Sequence, residues 1–377
     1  MLHFLTKFDS IARPIVLKLP GFIPVFIYSY GRKLFLNQLF KSIPKKKIEI
    51  PIEFQREFWG IKFQSNLFNA AGIFKEVYGY ELCYRQGAAA FLVGTITPRA
   101  RLGNTKKGIK HPFIPLQNSH SAINWMGLPN VGIDEALSRI SKIEKKKGCP
   151  IGISISSQPD DPESQAIKEL IEVFKLIEQS QIDFIELNES CPNVAHGHSN
   201  EQIGNLDKGL VDRLELISKS FLMHRKRLLP VVVKFSNDTA IEQVDELVEL
   251  LINLKFDGIN FGNTSTKYSE IQDQLNESDI RNFQNFTQTF GGGVSGSVLR
   301  RKSLLLCNAA AEKSKQIEKQ AEFIVIRTGG IEKENDIFES NSLGFHLNQW
   351  FTGYFEAFSE FGHYCYSSVL NIQNKNK

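Results

Sequence analysis

Between residues 67 and 350 short apolar runs alternate with longer charged stretches. The runs are LFNAA (67–71), AAFLVGT (89–95), PIGISIS (150–156), DFIELN (183–188), PVVVKF (230–235), DGINFG (257–262), EFIVIR (322–327) and FHLNQW (345–350). Most are apolar almost throughout instead of alternating, the mark of strands covered on both faces in a parallel sheet. The intervening stretches, such as ESQAIKELIEVFKLIEQS and AIEQVDELVELLINL, repeat apolar residues at helical spacing and read as crossover helices. Eight such units over about 300 residues predict an α/β protein of the (β/α)8 barrel class. The competing fold is an open, doubly wound sheet. Its glycine fingerprint occurs at Gly291, Gly293 and Gly296, but after NFTQTF, which is not an apolar strand, and late in the chain.

The N-terminus breaks the rhythm. IVLKLPGFIPVFIYSYGRKLFLNQLF (15–40) is apolar and aromatic, interrupted by Pro20, Gly21 and Pro24 and followed by basic residues. Its unbroken apolar run is too short to span a bilayer, and it lacks the small-residue cleavage site of a signal peptide. From Pro24 onward the pattern predicts an amphipathic helix with proline in its first turn. That helix either packs on the main domain or lies in a membrane interface. SIPKKKIEIP (42–51) reads as a charged connector, which divides the chain into a helical segment (1–45) and a barrel (46–377).

Composition narrows the function. The 377 residues are 42% hydrophobic and 23% charged, with a net charge of +4. These values argue for a globular fold and against disorder or a nucleic-acid-binding face. Five cysteines without a CxxC pair argue against a disulfide scaffold. No histidine pair has metal-ligand spacing, so no metal is expected. Nothing selects an oligomeric state.

In a (β/α)8 barrel chemistry collects at the C-terminal ends of the strands. Those ends carry Gly72 with Lys75, Thr95, Ser154, Asn188 with Cys191, Lys234, Asn263 with Thr264, Thr328-Gly329-Gly330 and Thr352-Gly353. Each alone is an ordinary cap or turn; eight together mark a site. Glycines in RTGGI and FTGYF, and in GGGVSG, could turn backbone N–H groups towards a phosphate. Lys75 and Lys234 could be ion-pair lysines, imine formers as in a lyase, or stabilisers of negative charge on a reduced cofactor. Asn124, Asn188, Asn193 and Asn263 offer paired donors and acceptors suited to a pyrimidine edge. A lone cysteine is usually a small buried hydrophobe. Cys191, presented at a rim by Pro192, suits a general base, with an unperturbed pKa of about 8.5.

These residues lie in the motifs NAAGIFK, GTITPRARLGN, INWMGLPN, LNESCPN, VVVKF, GNTS, GGGVSG and RTGGI. Together, from about Phe58 to Tyr366, they resemble the dihydroorotate dehydrogenase family, flavin enzymes of pyrimidine biosynthesis on a (β/α)8 barrel. The resemblance implies FMN held by Ala70, Ala71, Gly72, Lys75, Thr95, Ser154, Asn188, Lys234, Gly296, Gly329, Gly330, Thr352 and Gly353. It implies orotate or dihydroorotate held by Lys75, Asn124, Met126, Gly127, Asn188, Asn193, Asn263 and Thr264. Cys191 falls where the family keeps its base, which takes a proton from C5 of dihydroorotate as hydride leaves C6 for flavin N5. The leader, GTITPRARLGN and GGGVSG are similar to the quinone-using branch, peripheral at the inner, cytoplasmic face of a membrane. Cys191, MGLPNVG and Ser154 are similar to the soluble fumarate or NAD branches. Phe74 stands where an aspartate is expected, and Phe351 where a tyrosine is common. The expected acceptor is a quinone. Fumarate, NAD or a related FMN pyrimidine oxidoreductase are the alternatives, and a Schiff-base lyase or a non-catalytic binding barrel the readings outside oxidoreductases.

Overall fold

A computed structural model describes residues 2–189, 202–319 and 321–372. All eight apolar runs are strands of one parallel sheet: β1 (Leu67–Asn69), β2 (Phe91–Ile96), β3 (Ile151–Ile155), β4 (Phe184–Asn188), β5 (Val231–Phe235), β6 (Gly258–Phe261), β7 (Ile324–Thr328) and β8 (Leu347–Trp350). Each pairs with its sequence neighbour from β2 to β8, except that the β6–β7 connection also carries extra elements, and β8 returns to pair with β1. The ring shuts between β1 and β2. There Ala89 N–H donates to Leu67 O at 2.8 Å, and the Asn69 side chain replaces a ladder rung. Its Oδ1 accepts from Leu92 N–H (3.1 Å) and its Nδ2 donates to Leu92 O (2.7 Å).

The barrel interior is layered, because alternate strand residues point inward. The lower layer is apolar: Phe68, Leu92, Phe184, Val232, Ile326 and Leu347 are all buried. A hairpin, Arg56–Phe58 with Ile61–Phe63, brings Trp59 and Phe63 against Phe184 and closes this end. Gly152 on β3 must lack a side chain, since a Cβ there would sit 2.3 Å from the Phe184 ring. Two residues further along the strands the interior turns polar, with Glu186, Lys234, Asn260, Thr328 and Gln349 buried together.

Outside the ring, helices cover the opposite strand faces. Arg227 shows how one of them ends: its guanidinium donates to the carbonyls of Ile177 and Glu178, the last of helix Glu163–Glu178, and to those of Ser180 and Ile182 in the turn beyond it. A three-stranded antiparallel sheet (Phe113–Leu116, Ser121–Asn124, Gly293–Gly296) sits beside the barrel mouth. GGGVSG is therefore part of a strand, running into a helix (Arg300–Gln316) after one 3-10 turn.

The N-terminal segment forms two helices. α2 (Ile23–Leu39) carries Pro24 in its first turn, as the pattern predicts; α1 (Leu2–Val16) precedes it within the 1–45 segment. Val25 and Leu39 are buried against the body of the protein, and Phe40 packs on Phe74. Leu5, Phe8, Ile11, Ile15, Phe26 and Leu34 are exposed. Among the described residues no helix is long and apolar enough to cross a membrane. The connector has no regular structure until residue 52, yet Ile48 and Ile50 are buried, and Ile48 N–H donates to Arg85 O.

Candidate active site

The C-terminal ends of the strands surround a cleft of about 1000 Å³, open solvent included. Ala70, Ala71, Gly72 and Lys75 line it after β1, and Thr95 within β2. Asn188 and Lys234 line it from β4 and β5, Asn263 and Thr264 from beyond β6. Gly329 and Gly330 follow β7, and Thr352 and Gly353 follow β8. The antiparallel sheet contributes Asn124 and Gly296, and the turn after it Met126 and Gly127. Ser154 lies behind this lining. It is fully buried, and its Oγ is 3.0 Å from Thr95 Oγ1. Cys191 and Asn193 lie outside the described residues, as do His196 and His198.

The carboxamides are held by each other and by hydroxyls. Asn188 Nδ2 donates to Thr95 Oγ1 at 3.0 Å, and Asn263 Nδ2 to Asn188 Oδ1 at 3.5 Å. Asn263 Oδ1 accepts from Thr264 N–H, while Asn237 Nδ2 donates to Asn263 O. Lys75 Nζ sits 3.5 Å from Met126 Sδ, placing its ammonium near the turn between the two sheets. Lys234 donates to Gln349 Oε1 (3.2 Å) and Glu186 Oε1 (3.4 Å) below the cleft floor.

At the other end the glycines make room for backbone. A Cβ on Gly330 would lie 2.4 Å from Arg300 Cα, and one on Gly353 only 2.0 Å from Ile331 O. The Gly330 loop is pinned by Arg300, whose Nε donates to Gly330 O at 3.0 Å and whose Nη2 pairs with Glu332 at 2.8 Å. Ser295 and Thr352 hydroxyls lie 2.9 Å apart, tying the antiparallel sheet to helix Thr352–Phe361. Just behind this loop, burial and the nearby Glu356 carboxylate push Glu332 up to about 7, against Arg300 and His120. His120, Glu332 and Glu356 are the group of potential metal ligands found together among the described residues.

Residues not anticipated from the sequence also line the cleft: Leu128, Gly262, Ser295, Leu299, Ile331 and Trp350. Ser295 and Gly262 are flanked by predicted residues, so neighbourhood alone could have found them; Leu128 and Leu299 carry no polar signal. The two departures noted in the motifs have packing explanations. Phe74 is fully buried between Phe40 and Phe91, with ring centroids 5.6 and 5.2 Å away. Phe351 lines the cleft and packs on Phe355, which in turn meets Phe35 of α2.

Known proteins share this architecture. A protein called dihydroorotate dehydrogenase (quinone) from Christiangramia forsetii is 26% identical over 349 residues, covering 92% of this chain and 94% of its own. One of the same name from Idiomarina loihiensis is 28% identical over 300 residues, 78% of this chain and 81% of its own. The crystal structure of an Eimeria tenella dihydroorotate dehydrogenase in complex with ferulenol superposes with a TM-score of 0.72 at 20% identity, covering 91% of this chain and 89% of that one. The family described as dihydroorotate dehydrogenase matches residues 53–363. That match takes in the whole ring of strands and the cleft at its mouth, and the chain belongs to the dihydroorotate dehydrogenase family.

Proposed function

We propose that the protein oxidises dihydroorotate to orotate for pyrimidine biosynthesis, using FMN and passing the electrons to a quinone. The observation that carries this reading is the convergence of Asn124, Asn188, Asn263, Lys75, Lys234 and the glycine loops of β7 and β8 on one cleft. FMN suits the donor set. Backbone at Gly330 and Gly353 is packed too closely for side chains, which favours N–H groups facing a phosphate. Thr264 Oγ1 is buried with no hydrogen-bond partner among the described residues, the condition of a group that waits for a ligand.

When bound, the flavin supplies a two-electron acceptor for the hydride on C6 of dihydroorotate. The chain's own residues do the rest. Ala70, Ala71, Gly72, Thr95 and Lys234 hold the ring, and Ser154 fixes Thr95. Gly296, Gly329, Gly330, Thr352 and Gly353 hold the phosphate end. Asn124, Asn188, Asn193 and Asn263 orient the substrate ring through its alternating N–H and C=O groups, with Thr264, Met126 and Gly127 beside it. Lys75 offsets the substrate's negative charge. Cys191, three residues beyond Asn188, takes the C5 proton. Residues 1–45 form a segment that rests on the cytoplasmic face of a membrane, and residues 46–377 the catalytic barrel.

The exposed apolar residues of α1 and α2 support the quinone, since a lipid-soluble acceptor needs such a surface. So does the aromatic series Phe351–Phe355–Phe35 between the cleft and α2. Ser154 and Cys191 favour the second reading, fumarate or NAD as acceptor. Anaerobic reduction of the yellow protein by dihydroorotate, then reoxidation by quinone, fumarate and NAD in turn, separates these. Bleaching by dihydroorotate and fast recovery with quinone are expected; a colourless protein that cannot be loaded with FMN would overturn the reading. Cys191→Ala is expected to bleach far more slowly while still binding orotate.

A further inference from the structure

One layer beneath the cleft the barrel holds a carboxylate that the reaction outlined above leaves unused. Glu186 is 1% exposed and lies two residues before Asn188 on β4, so both side chains face the barrel interior. Glu186 Oε1 accepts from Lys234 Nζ at 3.4 Å. Its Oε2 accepts from Asn260 Nδ2 at 2.9 Å and from Gln349 Nε2 at 2.6 Å. Both amides are oriented from their other ends: Gln349 Oε1 faces Lys234 Nζ and Thr328 Oγ1, and Asn260 Oδ1 also faces Thr328 Oγ1. Three donors thus point at Glu186, an arrangement that favours the carboxylate, which accepts and does not donate. Lys234 is 4% exposed and lines the cleft, and Glu186 is its ion-pair partner.

A buried ammonium is costly unless a counter-charge lies beside it, and Glu186 is placed to supply one. We propose that Glu186 is a positioning residue for the redox step: it keeps Lys234 protonated and aims its ammonium at the flavin ring, and so governs how many protons accompany the electrons. The inference rests on the FMN reading above. With Lys234 charged throughout, two electrons and one proton enter the ring, leaving it anionic beside the ammonium. With Lys234 neutral beforehand, two electrons must bring two protons, one of them ending on the lysine or the ring.

The equilibrium constant for reduction, obtained against a reference dye and corrected for the dye's own protons, followed from pH 6 to 9 on FMN-loaded protein, reads this count. Wild type and Glu186→Asp are expected to change tenfold per pH unit, about 30 mV for a two-electron couple. Glu186→Gln is expected to steepen to a hundredfold per unit above a new ionisation. Adding Glu186→Gln to Lys234→Gln is expected to leave the pH slope unchanged, since the carboxylate sets the proton count through the lysine. A Glu186→Gln protein that follows the wild-type slope within twofold overturns the proposal, as does an equal effect of Glu186→Gln with and without Lys234. Should Glu186→Gln fail to fold, Glu186→Asn takes its place, a steepened slope supporting the proposal and the wild-type slope overturning it. A wild type that takes up no FMN overturns the cofactor reading and this inference together. A loaded wild type indifferent to residue 186 overturns the inference alone.

Discussion

Gly353→Ala tests whether the loops after β7 and β8 hold a phosphate. Gly353 is the second residue of helix Thr352–Phe361, and its neighbour across the cleft is the backbone of Ile331 and Glu332. An added Cβ would lie 2.0 Å from Ile331 O and 3.1 Å from Glu332 Cα, whereas real Cβ contacts essentially never fall under 3.0 Å. The two segments must therefore part by about 1 Å. Neither can yield freely: Arg300 pins one at Gly330 O, and the Ser295–Thr352 contact pins the other. A shift of that size stretches an N–H···O bond of ~2.9 Å beyond hydrogen-bonding range. One bond to a charged phosphate is worth about 1.5–3 kcal/mol, so FMN should bind at least tenfold more weakly. The assay is titration of apoprotein with FMN, read by quenching of flavin fluorescence, beside a titration with riboflavin. Riboflavin lacks the phosphate, so its affinity should not change. Gly31→Ala, where an added Cβ meets nothing within 4 Å, is the control. It should bind FMN normally and gain roughly 0.5–1 kcal/mol of stability. FMN affinity within twofold of wild type, or equal losses for FMN and riboflavin, would refute the assignment.

Three further outcomes concern stability. Burial, and then the Lys319 charge, lower His346 to about 4. Its folded pKa lies below its unfolded one, so the neutral ring contributes stability above about pH 6.5 that is lost as pH falls towards 4, up to about 3 kcal/mol. His346→Gln should narrow its stability gap to wild type over that window in urea titrations, and a constant gap would refute the cause. Phe74→Ala should cost about 3–5 kcal/mol and loosen the leader, measured as faster proteolysis near Phe40; unchanged cleavage would separate the leader from this core. Asp257 is 4% exposed, takes both Arg225 nitrogens at 2.7 and 3.1 Å, and accepts Val231 N–H. Asp257→Ala should cost about 3–5 kcal/mol, and Arg225→Met should recover part of it in the double variant, because the stranded charge is then gone. An additive double variant would contradict this.

The barrel was legible because its strands are buried on both faces, which leaves continuous apolar runs such as VVVKF and FIVIR. The cleft was legible because polar and glycine residues cluster where those runs stop. The antiparallel sheet was not: its strands are four residues each, and Gly293–Gly296 reads as a loop because two of its four residues are glycine. α1 falls inside the 1–45 segment read as helical, although the pattern predicts a particular helix only from Pro24 onward. The polar layer was written in the sequence as single letters inside apolar runs, E in FIELN, N in GINF and Q in LNQW. Only the barrel's closure reveals that they meet, since Glu186 and Gln349 are 163 residues apart.

The seam at Asn69 has a mechanical consequence. Every other junction of the ring is a backbone ladder, which tolerates almost any side chain. Here the Asn69 amide stands in for the middle of the ladder, with one backbone bond on either side, Ala89 N–H to Leu67 O and Gly72 N–H to Gly94 O, while the far ends of the chain are bound by the regular Asn348–Leu67 register. The staves of this cask part first where the hoop is thinnest. Letting go there frees little chain, so the opening is shallow and easily reversed. Deuterium should enter at the Leu92 amide before it reaches those of Val231–Phe235.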